Sequence, residues 1–585
     1  MTKEELLDKQ TFIDLFNLPE MERIDRENKL YLEADRLGIK RQYNKALNQY
    51  KPLIKKQIAM ENQANLPNCK YDISNYNMGQ YTCDIEGITD SKNNKFSYIP
   101  VLPVERYINE ETGKEKVKII FYKDNEWKEV TVDKSQLSIN QKLLLLSDIG
   151  LEVNSENVKF FINYFNDILN LNDIKKLNSV SHLGWFNDSF IPYDTNGIFD
   201  GADDFKSVYN ALKSKGNYEL WLKTIKEARK KTKIKIVMAV VLASPLLEKL
   251  SIQPYIANFW SIISGNGKTL TSMLAMSIWG DPTPSALRLS SNSTQNFIVS
   301  VASFMRNITC YFDELQIIKN NKYMDLNGLV MDLCNGTEKG RLNKNSQARE
   351  VKSWNCNFLF TNNDKMVKEN AGEQIYNRVI DIEVNDMLYE NPNEVSTIIS
   401  NNYGFLGKEY IKIVKKIGFE KLRERYIQLY NDILTETKAT DKQASSLASI
   451  LLADEIIVKN VFKEEQPLTI DDIQELVNDK DEIKTSLKAK EYIENIININ
   501  IKRFQVQNYG ECWGEFKTSQ SNYELCYINS QILYRELKKG GFEFETVKKE
   551  WADMKFIVKN SMGRYVHQTT VNGEKGNFII IDLHV

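Results

Sequence analysis

From the N-terminus to about residue 66, apolar residues recur at helical spacing among charged ones, with few breakers. From about 72 to 135 the period shortens. KVKIIFY and WKEVTV are predicted to be strands, with EETGKE and KDNE as turns. Helical patterns return near 137–150 and 156–170. The stretch SVSHLGWFNDSFIPYD, 179–194, is predicted to form strand pairs about a turn at Gly184-Trp185. Trp185 reads there as a packing anchor. His182 reads as a structural histidine, since no nucleophile pattern lies near it. From about 216, helices alternate with apolar strands, the signature of an α/β layer, and helices dominate from about 385 to 500. The longest apolar run, Ile236 to Leu247, contains Ser244 and Pro245 and is too short to span a bilayer, so it is expected to be a buried helix. The end of the chain, from about 525, has the pattern of a winged helix. NSQILYRELKK is a first helix capped by Asn529 or Ser530, and FETVKKEWADMK a second, entered after Gly540-Gly541. Strands follow, with a hairpin turn at Asn572-Gly573.

Composition narrows this only slightly. The chain has 585 residues, enough for several cores, and 77 basic against 79 acidic residues. A near-neutral balance does not by itself argue for nucleic acid, but basic groups can be gathered in a channel. Lys40, Arg41, Lys45, Lys51, Lys55 and Lys56 make the first helical region locally basic, either a solvated face or a DNA-contacting arm. Seven cysteines without a CxxC pair, and three histidines, speak against a zinc site and for reduced thiols in a cytoplasmic protein. There is no apolar signal core at the N-terminus and no membrane partner is expected.

The candidate chemistry begins after the strand IANFWSII, 256–263. Ser264, Gly265, Asn266 and Gly267 form a small-residue loop, and Lys268, Thr269 and Leu270 open a helix. Such a loop turns backbone N–H groups toward phosphates. The lysine reaches the β and γ oxygens, and the threonine hydroxyl ligates Mg²⁺. The usual GxxxxGK[ST] spacing puts a glycine at 262, where this chain has Ile262. Downstream, RNITCYFDELQ ends a strand in Asp313-Glu314. There the aspartate would hold the Mg²⁺ shell and the glutamate would polarise the attacking water. WNCNFLFTNND ends another strand in Asn362 and Asn363, either of which would orient that water. Arg378 precedes a further strand, as an arginine finger for a neighbouring subunit or as half of an internal ion pair. ATP and Mg²⁺ are the implied cofactors.

Together, ISGNGKTLTSMLAMSIWGDP, YFDELQ, LCNGTEKGRLNKNSQAREVKSWNCNFLFTNN and RVIDIEV resemble the MCM-like AAA+ self-loading helicases of mobile genetic elements. That group takes in cassette chromosome helicases and pathogenicity-island replication initiators. LGWF at 183–186 resembles the family's lead-in domain, and the likeness runs over about 95 to 455. It implies an α/β multidomain chain. The expected parts are a helical, basic arm with strands at 1–95, a mixed α+β lead-in domain at 96–215 and an AAA+ ATPase core at 216–440. A helical lid follows at 441–500 and a winged helix at 501–585. It gives Asn362 the sensor role and Arg378 the finger role. It puts Lys442 where the lid can carry a second sensor arginine. It also makes 335–344 a pore hairpin, with Lys339, Arg341 and Lys344 gripping DNA phosphates, the alternative being an ordinary basic turn. In the winged helix, Lys548, Lys549 and Lys555 on the second helix, with Arg564 and Lys575 on the wing, are the candidate DNA contacts. The implied partners are single-stranded and duplex DNA, copies of the chain in a homo-hexamer, and other replication proteins of the element. The alternatives are a non-helicase AAA+ remodeller or loader, and an origin-binding protein whose ATP site is degenerate at Ile262.

Overall fold

The computed structural model describes every residue except 17, 19, 62–65, 67, 68, 196, 285, 316–324, 339, 341–350, 369, 370, 464, 506–510, 519–523 and 585. The chain divides into two compact units, Met1–Ser181 with Asn196–Ala202, and His182–Thr195 with Asp203–Val585.

Among its described residues the first unit holds two apolar clusters. Helices Lys3–Leu7, Lys9–Phe16, Glu20–Arg36 and Lys40–Glu61 bury Leu6, Phe12, Leu15, Leu30, Ala34 and Tyr43 among themselves. The second cluster starts at Leu66 and runs to Ile168, so the buried residues from Leu66 to Phe96 pack with this core and not with the helices before them, where the boundary at 95 had put them. It is built on a five-stranded sheet ordered 198–199, 176–180, 101–109, 115–123, 126–133. The strands expected in KVKIIFY and WKEVTV are its last two, Glu115–Lys123 and Glu126–Asp133. Helix Val158–Leu171 covers it with Phe161, Tyr164, Phe165 and Ile168.

In the second unit, Gly184–Phe186 pairs with Ser189–Ile191. The turn is Asn187-Asp188, with Asn187 at φ 52°, and not Gly184-Trp185. Asparagine tolerates the left-handed conformation, and this frees Gly184 to lie against Asn307. Trp185 is a packing anchor as expected: it is 1% exposed, its Nε1 donates to the Pro245 carbonyl at 2.8 Å, and Phe190 and Phe419 meet it edge-on. His182 is buried between the Leu183 carbonyl and Arg306.

The apolar run becomes the buried helix Thr232–Leu250. Pro245 removes one helical N–H, and the carbonyl four residues back, Val241, accepts instead from the Thr309 hydroxyl at 3.2 Å. This helix packs against Asp441–Asn460 and Lys268–Met276. A parallel five-stranded sheet stands beside it, ordered 289–290, 310–313, 358–362, 256–260, 379–383. Buried Arg229 ties the helix Tyr218–Ala228 to the helical region after the sheet through Asp454 and Glu465, each at 2.9 Å.

At the C-terminus a four-stranded antiparallel sheet, ordered 514–518, 524–529, 574–582, 567–571, carries helices Ser530–Lys539 and Phe544–Asp553. Asn529 caps the first by accepting from Gln531 N, as expected. Asn572 and Gly573, at φ 51° and 84°, make the expected hairpin turn. The domain begins earlier than 501. Ala489, Ile493 and Ile497 of helix Thr485–Ile499 lie in its core, and Trp551 Nε1 donates to Ser486 O at 2.7 Å. Among the described residues, no helix is long and apolar enough to cross a membrane.

Candidate functional site

All strands of the parallel sheet point the same way, so their C-terminal ends form one edge, where loops and helix N-termini converge. The strand Ile256–Trp260 enters the small-residue loop there, flanked by Phe358–Asn362 and Val379–Glu383. In the loop only Gly265 (φ 80°) and Gly267 (φ 99°) are left-handed. Ile262 is not, so the turn does not require a glycine at 262; its side chain is 82% exposed. Gly267 has a second constraint: a Cβ there would lie 2.8 Å from the Tyr389 ring.

Asn266 braces the loop, its amide donating to Val384 O at 3.1 Å while its carbonyl accepts from Leu388 N at 3.2 Å. Lys268 begins the helix Lys268–Met276 and curls back, with Nζ donating to the carbonyls of Ser261 and Ile263, each at 3.2 Å. Burial pushes its pKa down, and Asp313 opposes this. The loop fits a phosphate chain: two glycine turns, a helix N-terminus and a cation held, among the described residues, only by neutral carbonyls.

One strand over from the flanking strand, Cys310–Asp313 delivers Asp313 to the same edge. Its carboxylate is 6% exposed and fully engaged. Oδ1 accepts from Thr269 at 3.2 Å, from Tyr311 at 3.1 Å and from Thr361; Oδ2 takes Arg288 Nε at 2.9 Å and a second guanidinium nitrogen at 2.6 Å. The hydroxyl–carboxylate pair Thr269–Asp313 is a donor set suited to a hydrated divalent cation. Glu314 follows at φ 63°, its N–H donating to Thr361 Oγ1 at 3.1 Å. It lines a cleft of about 410 Å³ with Arg288, Asp204 and Ser290. Between the two strands, buried Asn362 donates to Asp364 O at 2.7 Å and accepts from Asn363 N at 2.9 Å.

The sequence-expected residues Lys268, Thr269, Asp313, Glu314 and Asn362 are thus brought to one edge. Arg378 and Lys442 are not. Arg378 lies at the other end, where its carbonyl accepts from Ile256 N at 2.9 Å. Its guanidinium donates to Gln374 O. Lys442 shares with it a separate cleft of about 460 Å³ that includes Tyr426, Tyr430 and Asp441. The internal ion pair considered for Arg378 is not among the described salt bridges. Lys339, Arg341 and Lys344 lie outside the described residues. The segment holding them leaves and re-enters as an antiparallel pair, with Glu338 N donating to Lys352 O and Trp354 N to Gly336 O, at 2.8 and 2.9 Å.

Sequence reasoning missed Arg288, Tyr311 and Thr361, the partners of Asp313. Thr361, one residue before Asn362 in FLFTNN, was open to detection as a polar residue ending a strand. Arg288 had no such signal. In the C-terminal domain, Lys549, Arg564 and Lys575 are exposed. Lys548 is paired with Glu545. Lys555 is not on the second helix, which stops at Asp553; it lies beyond the end at φ 63°.

The architecture has a solved counterpart, described as "SCCmec type IV Cch - active helicase". It aligns over 86% of this chain and 98% of its own, at 17% identity and a TM-score of 0.60. The chain has the fold of that helicase. Residues 485–585 match the family model of the Cch helix turn helix domain, which begins where the packing of helix Thr485–Ile499 places the boundary. The resemblance to cassette chromosome helicases noted from sequence is thereby found again in the fold and in the C-terminal domain. Residues 77–353 match a domain of unknown function, DUF927. A second solved structure, "The A form apo structure of NrS-1 C terminal region-CTR", covers 65% of this chain and 90% of its own at 14% identity. Its TM-score of 0.25 is too low to carry argument. No curated protein matches in sequence.

Proposed function

We propose that the chain is an ATP-driven DNA helicase of a mobile genetic element, with an AAA+ core that works as a homo-hexameric ring. One observation carries this reading. The loop lysine, the Thr269–Asp313 pair, Glu314 and Asn362 converge on one sheet edge, with the loop strand and the acid-bearing strand separated by the strand that ends in Asn362.

Lys268 would leave the loop carbonyls for the β and γ phosphates. A magnesium ion held by Thr269 and Asp313 would supply charge neutralisation on those phosphates. Glu314 would take the proton of the attacking water, and Asn362 would fix that water's position. Arg378 and Lys442 sit a strand's length away and would serve the nucleotide of a neighbouring subunit, where a guanidinium stabilises developing charge. Lys339, Arg341 and Lys344 remain the proposed pore contacts. The fold shared with a helicase and the helix-turn-helix domain support DNA as the substrate.

The test is strand displacement on a forked duplex. ATP-dependent unwinding that Lys268→Ala abolishes is expected. ATP hydrolysis without unwinding would leave an ATPase of another kind, a loader or remodeller.

A further inference from the structure

In a helix-turn-helix the second helix is the one that ordinarily enters the major groove. Here that helix is poorly suited to a polyanion. Phe544–Asp553 and the residue before it carry Glu543, Glu545, Glu550 and Asp553 against Lys548 and Lys549. Lys548 is already paired with Glu545.

The sign changes directly after the helix. Lys555, Lys559 and Arg564 are exposed, and no acidic residue occurs from Met554 to Gly573. The turn among them is built rigidly. Val558 N donates to Ile580 O at 3.0 Å, and His567 Nε2 meets Val558 O at 2.8 Å. Asn560 N donates to Arg564 O, and Gly563 N to Asn560 O, both at 2.9 Å. The Asn560 side chain accepts from Met562 N and Arg564 N and donates to Val566 O. At the tip, Met562 is 77% exposed. A large apolar side chain held out on a braced turn between cations has the form of a wedge that parts base steps.

We propose that the C-terminal domain grips duplex DNA through the turn Lys559–Arg564. Met562 enters between base pairs from the minor groove, while Lys555, Lys559 and Arg564 hold the flanking phosphates. This rests on the reading of DNA as substrate and moves the contact from the second helix to the turn. The preferred sites are deformable pyrimidine–purine steps, which cost least to unstack.

The test uses the full chain without nucleotide and an AT-rich duplex carrying 2-aminopurine at TA steps. Wild type should raise the 2-aminopurine fluorescence on binding. Met562→Ala should abolish that rise, keep the salt dependence and weaken binding on the order of tenfold, the size of one good base contact. The double variant Lys559→Ala, Arg564→Ala should lower the slope of log K against log salt by about 1.8, two phosphate contacts. Lys549→Ala should change neither. Loop variants that bind and report like wild type, or loss of binding on Lys549→Ala and Thr546→Ala instead, overturn the proposal. A wild-type chain that binds no duplex overturns it together with the DNA reading. Binding that depends on the turn in a chain that never unwinds DNA supports it and sinks the helicase reading alone.

Discussion

Arg288→Gln tests the arrangement around Asp313 most directly. Among the described residues, Oδ1 of Asp313 has three hydroxyl donors, but Oδ2 has only the Arg288 guanidinium. Removing one partner of a fully buried pair costs about 3–5 kcal/mol. Here Arg288 is 30% exposed and the hydroxyls remain, so the loss is nearer that of a charged hydrogen bond, about 2 kcal/mol. For a domain of this size that is a fall of roughly 4 °C in the unfolding of the domain around the parallel sheet, measured in EDTA. The sign should reverse with Mg²⁺ and ATP. A divalent ion at Asp313 must displace the guanidinium in wild type, but not in the variant. Mg²⁺-dependent ATP binding by Arg288→Gln should then tighten by up to roughly thirtyfold, the equivalent of about 2 kcal/mol. Calorimetric titration with and without Mg²⁺ measures this. An unchanged core transition in EDTA would refute the importance of the pair. A destabilised core that gains nothing from Mg²⁺ and ATP would refute the competition.

Lys268→Ala should abolish ATP hydrolysis, and Glu314→Gln should leave ATP bound but uncleaved; filter binding and phosphate release separate the two. Arg378→Ala and Lys268→Ala proteins, each inactive, should partly recover ATPase when co-assembled, and no recovery in confirmed mixed assemblies would count against action across an interface. Truncation after Lys484 should leave a soluble ATPase, whereas truncation after Asn500 should aggregate, because it uncovers Ala489, Ile493 and Ile497; size-exclusion chromatography decides. The paired Arg535 guanidinium holds the Glu511 carboxyl down at about 2, so its folded pKa is depressed. That contribution is present above the usual glutamate range and is lost as pH falls toward 2. Both side chains are over a third exposed, so Glu511→Gln should cost at most about 1 kcal/mol at neutral pH in thermal unfolding.

The strand–loop–helix geometry of the proposed phosphate loop was legible because it is contiguous: strand, small residues, lysine, threonine and helix follow in order. The acid pair and Asn362 were legible for a related reason, since each ends an apolar run and parallel strands bring such ends together. What escaped was whatever depends on neighbours distant in sequence. Arg288 stands 25 residues before Asp313 with no periodicity between them. Helix Thr485–Ile499 reads as a helix from its spacing, but spacing cannot say which core its apolar face joins. It therefore went to the lid, while packing gives it to the C-terminal domain. The glycine expected at 262 is a case in reverse. The motif asks for it, but the backbone at 262 adopts a conformation open to any residue, with Gly265 and Gly267 supplying the left-handed turns.

The small-residue loop and the cleft at Arg378 lie at opposite ends of one strand, and this bears on how the proposed chemistry can be completed. Ile256–Trp260 has its last residue at the phosphate loop and its first against Arg378. Four steps of about 3.3 Å put roughly 13 Å between those ends, farther than an arginine side chain reaches. The guanidinium also points toward Gln374 O, onto the short helix before its own strand. Lys442 lies with it, at the start of Asp441–Asn460. Two cations gathered away from their own loop, one with a buried Nε that lacks a partner among the described residues, are of no use to that loop. They become useful if a second copy offers its phosphate edge to this cleft. Repeated from copy to copy, that step would make the head-to-tail ring proposed above, with each ATP held by one chain and finished by the next.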